Sequence, residues 1–452
     1  MPRLVLEFCI LPFALNPVPK SATTTPMHFL RIACLLGCLC LSRPAPGQDF
    51  ARIAADYRPR IESNLFNNIA GFWYPKTLDT TNGGYWIDAD IQGRLQGPGN
   101  KMIVTQARMV WLYSRLARYG YRPKEMLQAA DLGYRFLRDK MWDSTNGGFY
   151  WMVDATGNRV IRPGKHIYGQ SFALYALSEY SLAGTNTEAL QLAGKLFDLI
   201  ESKAHDAQFG GYIESFSQNW TPQLPGEKTY MGDAEFKLMN THLHLLESVT
   251  AFYRATRLPL ARERLRELID IESNTVVRKG PVACTDKYRR NWEPVLTGDF
   301  ARVSYGHDLE NIWLLIDACN AAGIPNTLFL DLYRALFQYS LQYGFDEKNG
   351  GFYYYGGFNQ PASNREKNWW VQAEACASAL YMYRLTRDPL YLRVFQKTYD
   401  WIDTRQVDWK NGEWFETITP DGAPYGDKAQ IWKAGYHNGR AMIECLAVLR
   451  NE

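Results

Sequence analysis

Asp143-Ser-Thr-Asn-Gly-Gly-Phe149 is one copy of a motif that recurs along this chain. From Gly83 to Gly147 to Gly210 the copies are spaced by about 64 residues, and the step from Gly210 to Gly350 is about twice as long. The long step leaves room for one further copy, near Cys284-Thr-Asp-Lys-Tyr288, in which the motif is no longer recognisable. The sequence therefore predicts six structural repeats. The other visible copies are Asp79-Thr-Thr-Asn-Gly-Gly-Tyr85, Asp206-Ala-Gln-Phe-Gly-Gly-Tyr212, Asp346-Glu-Lys-Asn-Gly-Gly-Phe352 and the degenerate Trp409-Lys-Asn-Gly-Glu-Trp414.

Each repeat has room for two helices and a turn. The Asn-Gly-Gly element predicts a tight turn that feeds a short β-hairpin, because glycine adopts the positive φ that such turns need. Between the turns, apolar residues lie three and four apart, as in residues 170–180 and 373–383, which is the helical period. Twelve helices in six hairpins predict an all-α fold, an (α/α)6 barrel with short β-hairpin loops at its mouth. An open solenoid of the same units is the alternative.

The first 48 residues have the layout of an export signal. Arg31 precedes an apolar run over residues 32–41, and Pro44-Ala-Pro-Gly47 follows it. The run is too short for a stable membrane span. Leu35-Leu-Gly-Cys38 weakly resembles a lipoprotein site, so a lipid-anchored form is an alternative. We expect a leader over residues 1–48, with Met27 as an alternative start, export to the periplasm, and one catalytic domain over residues 49–452.

Composition narrows the class of ligand. The chain carries 50 basic and 47 acidic residues, which gives no broad field for nucleic acid. Its 14 Trp, 28 Tyr and 22 Phe fit either a carbohydrate ligand or an aromatic core. Four widely spaced cysteines lie beyond the leader in apolar contexts, so we expect buried free thiols and no zinc site. We therefore expect a neutral small-molecule substrate and a monomer. The four cysteines are Cys284, Cys319, Cys376 and Cys445.

Several histidines lie near predicted helix starts. Asn240 and His244 are four residues apart and share a helix face, whereas His242 faces the other way, so His244 is the one we place in a pocket with Asn240. His205 lies in a loop and is expected to be structural. His166 opens a predicted helix.

His307 and His437 carry the chemical hypothesis. Each lies at a predicted helix start on a different repeat, with Glu310 or Arg440 three residues later. An imidazole whose pKa lies near 6.5 can accept or donate a proton at neutral pH, so two of them suit a two-base proton transfer without a cofactor. We expect Glu310 to hold the His307 imidazole in one tautomer. The guanidinium of Arg440 should lower the pKa of His437.

Other reaction classes lack their motifs. The sequence has no GxxxxGK[ST] loop, dinucleotide fingerprint, HExxH or GxSxG element. This argues against phosphoryl transfer, redox chemistry, zinc hydrolysis and elbow-serine hydrolysis. We predict no metal site.

The ordered motifs resemble those of the cellobiose 2-epimerases in the N-acylglucosamine 2-epimerase superfamily, from about Asp49 to the end of the chain. The resemblance implies that His307 and His437 are the acid/base pair and that His437 also assists ring opening. The motifs are Gln106-Ala-Arg-Met-Val-Trp111, Tyr168-Gly-Gln-Ser-Phe-Ala-Leu-Tyr-Ala-Leu177, Asn240-Thr-His-Leu-His-Leu-Leu-Glu247, Ser304-Tyr-Gly-His-Asp-Leu-Glu310, Trp369-Trp-Val-Gln-Ala-Glu374 and Trp432-Lys-Ala-Gly-Tyr-His-Asn-Gly-Arg440.

The same resemblance implies further roles. Arg108, Asn240 and His244 would bind the oxygens of the open-chain sugar and stabilise an enediolate, and Tyr168 would line that site. Glu310 would support His307, and Glu247 would be at most supportive. The reaction implied is epimerisation at C2 of the reducing-end sugar of cellobiose or of β-1,4-mannobiose. Trp370 and Trp432 would contact the two sugar rings.

Three other functions remain open. A glycoside hydrolase or lyase on the same barrel would need two inward carboxylates, for which Asp233, Glu235, Asp308 and Glu374 are candidates. An aldose–ketose isomerase of the same superfamily is a second alternative. A carbohydrate-binding protein without activity would explain the aromatic content but not the charged neighbours of the two histidines.

Overall fold

The computed structural model describes residues 46–450, so the predicted leader lies outside the described residues except for positions 46–48, which begin the first helix. In this part of the chain twelve long helices alternate with short strands, and none of these helices is long and apolar enough to cross a membrane. The helices are α1 (Pro46–Ser63), α2 (Ile103–Tyr119), α3 (Pro123–Phe136), α4 (Ile167–Gly184), α5 (Thr187–Ala204), α6 (Met239–Thr256), α7 (Pro259–Asp270), α8 (Tyr305–Ala322), α9 (Leu330–Gly344), α10 (Trp369–Thr386), α11 (Pro389–Trp401) and α12 (His437–Leu449).

The helices form two concentric rings. The even-numbered helices α2 to α12 each contact the next, and α12 contacts α2, so the inner ring closes. Each of α3, α5, α7, α9 and α11 packs on the inner helix that precedes it, while α1 packs on α12. The fold is therefore the (α/α)6 barrel that the repeats predict. Five of its pairs are hairpins, and the sixth joins the first and last described helices.

Short strands join consecutive repeats at the end of the barrel where the inner helices begin. The strand before α2, for example, pairs antiparallel with the hairpin of the next repeat, with Lys101 opposite Val153. The strands are β1 (Lys101–Met102), β2 (Met152–Val153), β3 (Val160–Arg162), β4 (Lys165–His166), β5 (Ser215–Phe216), β6 (Lys228–Thr229), β7 (Gly232–Asp233), β8 (Phe236–Leu238), β9 (Val277–Arg278), β10 (Ala283–Cys284), β11 (Lys287–Arg289), β12 (Val303–Ser304), β13 (Tyr355–Gly356), β14 (Ala362–Asn364), β15 (Lys367–Asn368), β16 (Thr417–Ile418) and β17 (Pro424–Tyr425).

The Asn-Gly-Gly turn is held from inside by a polar side chain of the following inner helix. In the second repeat Gln170 accepts the N–H of Phe149 at 2.9 Å and donates to its carbonyl oxygen at 2.8 Å. Gly148, just before, has φ +72°, and a Cβ there would lie 3.2 Å from the Gln170 oxygen. Only glycine fits both constraints without strain.

We call this polar side chain the clamp residue. Five clamp residues each accept an N–H from the end of their turn, at Tyr85, Phe149, Tyr212, Cys284 and Phe352. The bond to Cys284 places the masked fourth repeat where it was predicted. By position, the clamp residues are Gln106, Gln170, His242, Asp308, Gln372 and, in the sixth repeat, Asn438.

Aromatic side chains fill much of the core. Trp73, Trp111, Trp151 and Trp414 are almost completely buried, so part of the aromatic bias is core packing. The four cysteines predicted to be free are buried and unpaired.

Candidate active site

A cavity of about 340 Å³ opens where the inner helices begin. It brings together all nine residues that the sequence analysis selected, and it also involves five that were not selected. The selected residues are Arg108, Tyr168, Asn240, His244, His307, Glu310, Trp370, Trp432 and His437. The others are Tyr354, Asn368, Trp369, Glu416 and Gln430.

The repeat register explains how distant residues meet here. The residue two positions after each clamp residue lies inside the ring, and these six side chains form contacts with their neighbours. Arg108 stacks on Phe172, and Phe172 contacts His244. Arg440 donates to Glu310 and Glu374. The residue one position before the clamp is histidine in the fourth and sixth repeats, His307 and His437. Both histidines therefore occupy equivalent places in the barrel.

His437 is held by a carboxylate of the neighbouring helix α10. Its Nδ1 lies 2.6 Å from Glu374 Oε1, and Glu374 also accepts from Trp313 Nε1 at 2.8 Å. Burial lowers the pKa of His437 well below its usual value, and the nearby guanidinium groups of Arg108 and Arg440 lower it further. When the neutral ring donates from Nδ1 to Glu374, its Nε2 is left as a base.

His244 shows the same arrangement in the third repeat. Its Nδ1 lies 2.7 Å from Glu247 Oε1, which also accepts from the hydroxyl of Tyr436. Burial lowers the pKa of His244 and raises that of Glu247. His242 faces away, as expected, and accepts the N–H of Tyr212 as a clamp residue.

Arg440 connects the two pairs from beneath the cavity. Its guanidinium donates to Glu247, Glu310 and Glu374, and all four side chains are buried. The spacing of Glu310, Glu374 and His437 would suit a metal ion. Arg440 Nη2 already donates to both glutamates, however, so a guanidinium supplies the positive charge there.

The expected contact between Glu310 and His307 is wrong. Among the described residues no hydrogen bond joins them: Glu310 Oε1 accepts from Arg440 and lies 3.9 Å from His437 Nδ1. The His307 ring instead lies against Trp370, with the ring centroids 4.9 Å apart. The reason is electrostatic, because the Glu310 carboxylate is attracted to the buried guanidinium of Arg440, which lies one helical turn after His437.

Arg108 organises the opposite wall. Its guanidinium donates to Tyr168 at 3.2 Å and to the carbonyl oxygen of Trp432 at 2.7 Å. Two acceptors that line the same cavity, Asn240 Oδ1 and Glu310 Oε2, are buried and have no partner among the described residues. Buried polar atoms are normally satisfied, so this cavity suits a ligand rich in hydroxyl groups.

Two of the tryptophans that line the cavity, Trp370 and Trp432, were selected from the sequence. Trp370 contacts both proposed bases, with ring centroids 4.9 Å from His307 and 5.8 Å from His437. Gly306 makes room for Trp370, since a Cβ there would lie 2.5 Å from its ring. Trp432 lies 6.2 Å from the ring of Tyr168.

The carboxylates that a hydrolase would need are otherwise engaged. Asp308 is a clamp residue, and Asp233 and Glu235 bond to Lys228 and the N–H of Gly226 on an exposed hairpin. Glu374 holds His437. Glu374 does lie close to a second carboxylate, Glu310, but both accept from Arg440 Nη2, so this pair is held by a buried cation instead of serving as the acid and base of a hydrolase.

Sequence reasoning undervalued the side chains that support the imidazoles. It counted Glu374 only as a hydrolase candidate and gave Glu247 a minor part. A signal for Glu374 was present, since it follows the clamp residue Gln372 by two positions, as Glu310 follows Asp308.

The comparisons with known proteins identify the family of this chain. Residues 84–441 match the family model of N-acylglucosamine 2-epimerase (GlcNAc 2-epimerase). A cellobiose 2-epimerase of Bacteroides fragilis is 30% identical over 392 residues, covering 86% of this chain and 98% of the relative. The structure of a cellobiose 2-epimerase from Bacillus thermoamylovorans superposes with a TM-score of 0.80 at 30% identity, covering 87% of this chain and 99% of that one. A D-mannose isomerase of Marinomonas mediterranea is 23% identical over 420 residues, covering 88% of this chain and 98% of the relative. The chain therefore belongs to the N-acylglucosamine 2-epimerase family and is an isomerase, a carbohydrate 2-epimerase.

Proposed function

We propose that this protein inverts C2 of the reducing-end sugar of a β-1,4-linked disaccharide, converting cellobiose to glucosyl-mannose or mannobiose to mannosyl-glucose. The observation that carries the proposal is the equivalent placement of His307 and His437, one residue before the clamps of the fourth and sixth repeats, with both rings against Trp370. The relatives named cellobiose 2-epimerase support the choice of disaccharide.

The chemistry needs an open-chain sugar. One imidazole removes the C2 proton, the C–H electrons form the C1–C2 double bond of an enediolate, and negative charge develops on O1. The second imidazole delivers a proton to the opposite face of C2, and the ring closes again. The glycosidic bond takes no part. A preorganised cation is effective at such a developing oxyanion, and Arg108 is the cation that lines the cavity.

The other wall residues bind the sugar. Asn240 Oδ1 and Glu310 Oε2 accept hydroxyl protons, since both lack partners among the described residues. His244, with Nδ1 bonded to Glu247, presents Nε2 as an acceptor. The rings of Trp370 and Trp432 contact the apolar faces of the sugars.

Incubation with cellobiose in heavy water tests the reaction. We expect solvent deuterium at C2 of the reducing-end sugar and formation of its manno epimer, detected by NMR, while the disaccharide stays intact. Release of monosaccharide would instead indicate a hydrolase. Accumulation of a ketose as the main product would indicate an aldose–ketose isomerase.

Asparagine substitutions test the two bases. General acid–base catalysis is worth about 10²–10⁴ in rate, so His307→Asn and His437→Asn should each lose at least about 100-fold in turnover in both directions. His205→Asn is the matched control, because His205 bonds Glu267 and does not line the cavity. A His437→Asn protein that epimerises near the parent rate would exclude the two-base mechanism.

We also propose that the protein is exported, on the basis of the signal-like layout of residues 1–48. N-terminal sequencing of the protein from its native host should find a mature chain that lacks this segment. An intact N-terminus in the cytosolic fraction would contradict the proposal.

A further inference from the structure

Glu413 occupies a position where four other repeats have glycine. It is the last residue of its turn, and its φ of +60° matches the positive φ of Gly84, Gly148, Gly211 and Gly351. A residue with a Cβ pays a conformational cost for this backbone, and such departures often mark a functional constraint. Glu413 is also completely buried.

The carboxylate of Glu413 receives four donors. Oε1 accepts from the N–H of Trp414 at 3.0 Å, from Lys433 Nζ at 3.2 Å and from Asn438 Nδ2 at 2.6 Å. Oε2 accepts from Trp73 Nε1 at 2.6 Å. The bond to Trp414 is the one that the clamp residue makes in other repeats, so Glu413 has taken over that part of the clamp.

Two of these donors flank His437. Lys433 precedes it by four residues and Asn438 follows it directly. The chain between them packs against Trp73, the indole that donates to Glu413 Oε2, since a Cβ on Gly435 would lie 2.6 Å from Trp73 Nε1. The backbone that carries His437 is therefore tied to Glu413 on both sides.

The start of α12 explains why an external anchor is needed. Helix α8 begins two residues before His307, and the side chain of its cap, Ser304, accepts the N–H of His307, so that residue's backbone is already held. Helix α12 begins at His437 itself, and Tyr436 before it provides no side-chain cap. A first helical residue is not held by the helix alone.

We infer that Glu413 is a positioning residue for His437: its carboxylate fixes the approach and first turn of α12 and so sets where the imidazole stands. This inference rests on the proposed function. The competing explanation is that Glu413 serves only as the counterion of buried Lys433.

Paired substitutions separate the two explanations. Glu413→Gly with Lys433→Met restores the glycine turn and removes the ammonium, so that no buried charge is left alone, but it deletes the anchor. Glu413→Gln with Lys433→Met removes the same charges and retains a side-chain oxygen for Trp414 and Asn438. The matched control is Asp79→Asn with Lys101→Met, which removes a buried ion pair, 2.7 Å long, that belongs to the turn of the first repeat and does not bond to Glu413 or Asn438.

We call the double variants with Glu413→Gly and with Glu413→Gln the glycine pair and the glutamine pair. We expect the glycine pair to lower kcat at least about tenfold with KM changed less than about threefold, since small displacements of a catalytic group are costly. The glutamine pair should recover kcat to within about threefold of the parent. The control pair should leave kcat within the same limit. Thermal melting curves measure the folded fraction of each variant. If the glycine pair does not fold, Asn438→Ala takes its place. This variant removes only the bond between Asn438 and Glu413, and it must then lower kcat.

The inference is overturned if the glycine pair retains the parent kcat, or if the glycine and glutamine pairs lose kcat equally. If the parent protein epimerises cellobiose, either of these results leaves the proposed function intact. A parent that places no solvent deuterium at C2 overturns both.

Discussion

Replacing Glu374 with glutamine tests how the structure tunes His437. The carboxylate is completely buried and accepts from His437 Nδ1 at 2.6 Å, Arg440 Nη2 at 2.8 Å and Trp313 Nε1 at 2.8 Å. Glutamine has the same shape but no charge. Its amide oxygen can still accept from His437, but its NH₂ group then faces the Trp313 N–H.

The expected cost follows from the change of acceptor. A hydrogen bond to a charged group is worth about 1.5–3 kcal/mol and a neutral one about 0.5–1.5 kcal/mol, so the imidazolium formed during proton transfer loses about 1–2 kcal/mol. That corresponds to a fall of about 5- to 30-fold in kcat. A carboxylate stabilises the protonated ring, so its loss lowers the pKa of His437 further. The acid limb of the kcat/KM profile should therefore move to lower pH.

The assay is the initial rate of epimerisation across pH, followed by NMR. Glu267→Gln is the control, because it removes a carboxylate from another histidine pair, 3.0 Å from His205 and away from the cavity, and it should leave kcat unchanged. Combining Glu374→Gln with Trp313→Phe removes the donor that faces the new amide and should restore thermal stability but not kcat. A Glu374→Gln protein with the parent rate, or with an acid limb moved to higher pH, would refute this account of His437.

Three further predictions concern stability and cofactor use. Gly351→Ala should lower the melting temperature, because φ is +79° and the new Cβ would lie 2.7 Å from the Gln372 oxygen, whereas Gly194→Ala, in an open helical position, should not. Burial raises the pKa of Asp346, but hydrogen bonds from Lys367 and Asn349 outweigh it and lower this pKa from 3.8 to about 2. The stability that the ionised group provides is therefore present above about pH 4 and is lost as the pH falls towards 2. Asp346→Asn should make the melting temperature depend less on pH over that range. Chelators should leave epimerisation unchanged because Arg440 occupies the position between Glu310 and Glu374 that a cation would take, and activity lost to a chelator and restored by a divalent ion would contradict this.

Much of the fold was accessible from the sequence because its cause is local. The turn from Asp143 to Phe149 forms from neighbouring residues, since Asp143 accepts the N–H groups of Thr145 and Asn146 and glycine supplies the positive φ. Repetition of that turn at nearly constant spacing then predicts the paired helices and the closed ring. The choice of His244 over His242 was also local, because it depends only on helical periodicity.

The partners of the imidazoles were decided by the tertiary structure. Helical spacing suggested that Glu310 would hold His307, but Glu310 contacts Arg440, and His437 receives Glu374 from a different helix, 63 residues away. A spacing argument compares residues on one helix only. Which side chains meet across the barrel depends on the register between neighbouring inner helices and on the closure of α12 against α2. The sequence by itself therefore determined the repeat, the barrel and the candidate bases, while the packing of the inner helices decided which carboxylate holds His437, because that pairing is a long-range contact between separate helices.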